Sequence, residues 1–81
     1  MKWNLVEHKK EFGVYHWDTF DNETFLITKN WDTGEQADFD TLEEAEKFVK
    51  EHYGDRLNPN GADQVDIVNK KGDIVKHFKT R

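Results

Sequence analysis

The chain has no cysteine, one methionine and a single proline, Pro59, in 81 residues. Without thiols, neither a disulfide framework nor a thiolate metal site can supplement the core of so small a protein. No apolar run approaches the roughly 20 residues that span a bilayer, and the opening "MKWNLVEHKK" lacks the apolar centre of a signal peptide. The expectation is a chain without membrane association, cytoplasmic in location. P-loop, dinucleotide and nucleophile-elbow motifs are also missing, so neither an enzyme nor a bound cofactor is expected. Only "DRLNPNGADQ" (55–64) resembles a linker, and a chain of this length makes one domain over 1–81.

What the chain does have is three tryptophans, two tyrosines and six phenylalanines, set in strand-length runs. "WNLVEH" (3–8), "GVYHWDTF" (13–20) and "TFLITKNW" (24–31) are rich in β-branched and aromatic residues and are separated by turn-forming clusters. "WDTGEQ" turns at Gly34, which supplies positive φ, into a short strand near 36–39. A helix follows. Thr41 caps it with Glu44 reaching back, Leu42, Ala45, Phe48, Val49 and Tyr53 form its apolar stripe, and Gly54 ends it. Asn58-Pro59-Asn60-Gly61 fits a type I turn. "VDIVN" and "IVKHF" around Gly72 then make a last hairpin. The order β-β-β-β-α-β-β predicts an α+β fold, a five- or six-stranded antiparallel sheet with one helix on one face. Trp3, Trp17 and Trp31 stand fourteen residues apart, and "WDTFDNETF" parallels "WDTGEQADF". That period is too short for a solenoid and fits a meander with similar turns.

Alternation along the strands divides the apolar residues into two sets. Trp3, Leu5, Phe25, Ile27, Val65, Ile67, Ile74 and Phe78 form the expected inner face under the helix. The opposite set is Val6, Leu26, Val68 and Val75, joined by either Val14 or the pair Tyr15 and Trp17. One helix covers one face, so Val6, Tyr15, Trp17, Leu26, Val68 and Val75 become the candidate interaction face for a protein partner or a second copy in a homodimer. The alternative is a sheet that curls until its own loops cover that face.

Charge is unevenly spread over a net of −5. Residues 18–55 carry twelve acids against Lys29, Lys47 and Lys50, whereas residues 64–81 carry Lys70, Lys71, Lys76, Lys79 and Arg81 against Asp66 and Asp73. The acidic stretch suggests an alternative function, mimicry of the phosphate array that a nucleic-acid-binding protein recognises. Direct nucleic-acid binding lacks a basic footprint except on the last hairpin. His8, His16, His52 and His77 show no HxH or HExxH spacing, so no metal site is expected. His8 and His16 could approach each other across the first hairpin. Asp38, Asp40, Glu43 and Glu44 read as capping groups of the helix start.

"FDTLEEAEKFV" (39–49) followed by "VDIVNKKGDIV" (65–75) resembles small bacterial and phage-encoded domains of unknown function. In these a β-meander runs into F-x-T-x-x-E-A, a helix and a closing hairpin with a Gly turn. Phe39, Thr41, Glu44, Ala45 and Gly72 are the matching positions. The same junction is similar to the helix start in arm-type DNA-binding domains of phage integrases. Those have Lys/Arg-rich strands and no strands after the helix, unlike this chain. The resemblance implies a fold and no particular activity.

Overall fold

Thr41 opens the helix as its sequence suggests: its hydroxyl accepts the Glu44 amide at 3.2 Å and donates to the Glu44 carboxylate at 3.0 Å. From there α1 runs Leu42–Tyr53 and stops at Gly54, whose amide bonds back to the Lys50 carbonyl. Ala45, Val49 and Tyr53 are its buried stripe, with Leu42 and Phe48 half-buried beside it. The computed structural model describes residues 8–20 and 22–80. Trp3, Leu5 and Val6, Asp21 and Arg81 therefore lie outside the described residues, as does most of the expected first strand.

The strands are β1 (Phe12–Asp18), β2 (Glu23–Leu26), β3 (Thr28–Asn30), β4 (Glu35–Gln36), β5 (Asp38–Phe39), β6 (Asp63–Val68) and β7 (Ile74–Thr80). A five-stranded antiparallel sheet is ordered β2-β1-β6-β7, with β5 pairing the start of β1; β3 and β4 form a separate two-stranded sheet. The protein is thus an α+β fold with one helix. The expected strand over 24–31 divides at Ile27, because the backbone there leaves the sheet. The Ile27 amide bonds to the Val14 carbonyl, the Ala37 amide to the Ile27 carbonyl and the Val14 amide to the Ala37 carbonyl, at 2.8–3.0 Å. These three bonds close the root of the β3–β4 hairpin, and Ala37 separates β4 from β5 in the same way. Gly34 (φ 72°) takes the positive-φ turn position expected of it, and Gly72 (φ 90°), in the expected last turn, is left-handed as well. The Gly61 amide reaches the Asn58 carbonyl at 2.8 Å, closing the Pro59 turn.

The tryptophan spacing is not a structural repeat: Trp17 lies in β1 and Trp31 in the turn between β3 and β4.

α1 lies over β1, β5 and β6. Val14, Ile27, Ala37, Phe39, Val65 and Ile67 meet Ala45, Val49 and Tyr53 in the main core, with Phe78 packed at its edge. Register places Val14 opposite Ile67 and His16 opposite Val65, so Val14 belongs to the helix side and Tyr15 and Trp17 to the reverse. Two residues expected in this core are outside it. Phe25 is exposed, because it sits on edge strand β2, where it stacks on His16 at 5.4 Å. Ile74 is exposed, because the β6–β7 register shifts by one residue between Ile67 and Val68, and a bulge re-aims the side chains around it.

Candidate interaction site

The residues expected to form an open apolar face have divided fates. Tyr15 and Val68 are each 1% exposed, Leu26 is buried with them in a small second cluster, and Trp17 is half-buried. Only Val75 among the described candidates is exposed, and Val6 lies outside the described residues. The expectation of an uncovered face fails at Tyr15, Leu26 and Val68, and part of the cause is visible. Residues 8–11, before β1, fold back on the reverse side. Asp38, buried, accepts the amides of Lys9 and Lys10 at 2.9 and 3.2 Å. It clamps that segment rather than capping the helix. His8 is thereby held edge-on to Tyr15, with its Nδ1 3.2 Å from the phenol oxygen. Gly13 makes room for it, since a Cβ there would stand 2.6 Å from the His8 ring.

His8 and His16 end on opposite faces and do not meet. On the helix side, Nε2–H of His16 donates to Asp63 at 3.2 Å, which leaves Nδ1 to accept from the Tyr53 hydroxyl at 2.7 Å. Asp63 also accepts the amide and hydroxyl of Thr19. This Tyr–His–Asp chain has the connectivity of a relay, but burial raises the Tyr53 phenol far above its usual range, the reverse of nucleophile activation. Its evident work is to tie the end of β1, the end of α1 and the start of β6 together. Among the described residues no three His, Asp or Glu side chains gather closely enough to hold a metal ion.

On the reverse side, Asp66 is 1% exposed; its Oδ1 is bonded by Nδ1 of His77, and its Oδ2 has no hydrogen-bond partner among the described residues. Burial raises this carboxyl, and His77 opposes that rise.

Several of the acids of residues 18–55 are engaged. Asp38 holds the Lys9 and Lys10 amides, Glu44 is in the cap, and Glu35, Glu46 and Glu51 pair with Lys29, Lys76 and Lys47. The large exposed aromatics are Phe20 (92%) in the β1–β2 turn, Trp31 (83%) in the β3–β4 turn and Phe25 on β2.

β7 presents an open edge. It is a seven-residue edge strand whose only paired strand among the described residues is β6. Its far end is covered: Thr80 forms a bridge with Leu57 and donates to the Arg56 carbonyl, and the Asn58 amide takes the Lys79 carbonyl at 3.0 Å. The two-residue period of the ladder turns the amide and carbonyl of His77 the same way as those of Lys79. Neither His77 group has a partner among the described residues. Ile74 and Val75 stand exposed beside them. At the near end, the β6–β7 turn is fixed by Asn69, whose side chain accepts the amides of Lys71 and Asp73. An open cleft of about 410 Å³ lies there, lined by His8, Tyr15, Val68, Asn69, Lys70, Lys71 and Gly72. Sequence patterning missed the Asp38 clamp, although the isolated Gly13 in an aromatic strand was a signal of close approach. Among the described residues no helix is long and apolar enough to cross a membrane.

Comparison with known protein families, curated proteins and solved structures gives no match for this chain.

Proposed function

We propose that this chain is a small non-enzymatic interaction module that binds another protein by accepting one of its strands along the open edge of β7. The observation that carries the reading is the backbone of β7 at His77, which has no partner among the described residues and is flanked by exposed Ile74 and Val75. Unpaired edge amides and carbonyls are a template for strand addition, and proteins that do not use such an edge blunt it. Here the bulge and Lys76 are the blunting features, but Lys76 is drawn back onto Glu46 at 3.5 Å. The reading retains protein binding as the function and moves the surface from the sheet's reverse face to its edge. Mimicry of nucleic acid has less to support it, because several of the acids that would form the array have internal partners.

The test is a display library of random extended peptides selected against the whole chain, with each selected peptide mapped by amide chemical shifts. Peptides that move resonances of residues 74–78 and slow exchange of the His77 amide are the expected result. Selections that move only β2 or the β3–β4 hairpin, or that yield no binder, overturn it.

A further inference from the structure

We infer that the strand accepted by β7 is acidic, with a carboxylate entering the cleft at the β6–β7 turn. The inference rests on strand addition at β7 and adds the chemistry of the partner. The chain as a whole carries −5, yet the described lining of this cleft contains Lys70, Lys71 and His8, the Tyr15 hydroxyl and Asn69, and no acid. Lys70, Lys71 and Lys79 have no ion-pair partner among the described residues. Of the nearby described acids, Asp66 is committed to His77 and buried, which leaves Asp73 in the turn and Glu11, whose carbonyl lies 3.2 Å from the His8 ring, as the exposed opposing charges. A strand laid along the open part of β7 would therefore pass His77 on the reverse side and reach Lys70 and Lys71 at the turn. Alternating carboxylates match that row, and complementary charge sets both partner choice and the rate of encounter.

A second copy fits this edge poorly. β7 carries Lys76 and Lys79 and no carboxylate, so a second β7 offers no charge complementary to Lys70 and Lys71. A single-stranded nucleic acid fits less well too, because such ligands stack on aromatics beside a positive groove. The β6–β7 hairpin exposes no aromatic ring, since Phe78 is half-buried towards the helix and Phe20 and Trp31 lie on other turns.

The experiment titrates the isotopically labelled full chain with three short peptides of one design: alternating Glu and Val, alternating Thr and Val, and alternating Lys and Val. A single-stranded oligothymidylate is the fourth probe. The Glu peptide is expected to bind about tenfold more tightly than the Thr peptide at low salt and to lose most of that advantage at high salt. It should shift residues 68–72 as well as 74–78. The double variant Lys70→Glu, Lys71→Glu should erase the preference while leaving the spectrum of α1 and β1 unchanged. If Thr and Glu peptides bind β7 equally, the acidic partner is overturned and strand addition stands. If no peptide shifts β7, strand addition itself fails. An oligothymidylate that displaces the Glu peptide from residues 68–78 overturns the inference in favour of nucleic acid.

Discussion

β6 carries both faces of the sheet in four consecutive residues. Val65 and Ile67 point to the helix, Asp66 and Val68 point away, and all four are at most 1% exposed. Their surroundings differ in kind. Val65 and Ile67 are enclosed by side chains of β1, β5 and α1, an apolar interior in which every contact is dispersion and excluded water. Asp66 and Val68 are enclosed by a tyrosine, histidines and a folded-back segment whose visible anchor is two amides on a carboxylate. Equal burial therefore does not mean equal cohesion. The helix side is packed, whereas the reverse side is covered.

Truncating the same residue type on each face is the most direct way to break that contrast. Val65→Ala removes two methyl groups from the closed interior and leaves a void, a cost of about 2.5 kcal/mol from lost transfer energy plus cavity. Val68→Ala removes the same atoms beside the open cleft, where the void joins solvent, so only about 1.5 kcal/mol is lost. Urea unfolding of both variants measures the gap. Equal costs would mean the reverse face is packed as tightly as the core. Between these two falls Asp38→Ala, which frees the Lys9 and Lys10 amides and is expected to cost about 2 kcal/mol. Its sharper signature is local: the His8 and Tyr15 ring resonances should move while those of α1 stay in place. A variant whose changes spread through α1 would show that the clamp belongs to the core after all.

Much of the helix side was legible before any coordinates. The stripe Ala45, Val49, Tyr53 and the cap Thr41–Glu44 follow from a period and a local motif, both of which lie within one turn of chain. Val65 and Ile67 followed from alternation for the same reason. Phe25 and Ile74 did not, because alternation states only which side of a strand a residue faces. It does not state how far the helix extends or where a bulge shifts the register. The reverse side was least legible. Its cover depends on Asp38 reaching amides 28 and 29 positions away, and on Gly13 admitting His8, contacts with no local pattern.

The smallest expected effect is also the one that separates the faces by sign. Asp63 and Asp66 lie on β6 three residues apart and on opposite sides. Thr19, donating to Asp63, holds its carboxyl below the ordinary value of 3.8, with His16 assisting against some burial. Burial holds Asp66 above the same value, with His77 only partly offsetting it. By linkage, the stabilisation from Asp63 is fully present above 3.8 and is lost as pH falls through its depressed folded value. The contribution of Asp66 runs the other way: it is fully present below 3.8 and is lost as pH rises through its elevated folded value. Thermal unfolding of Asp63→Asn and Asp66→Asn, each referred to the parent chain at every pH from acid to neutral, should therefore diverge. With rising pH the first variant falls further behind the parent, whereas the second gains on it. If both differences move in the same direction as for Asp63, the His77 bond outweighs the desolvation of Asp66. The reverse side would then hold an ordinary ion pair rather than a carboxylate confined with one oxygen unserved.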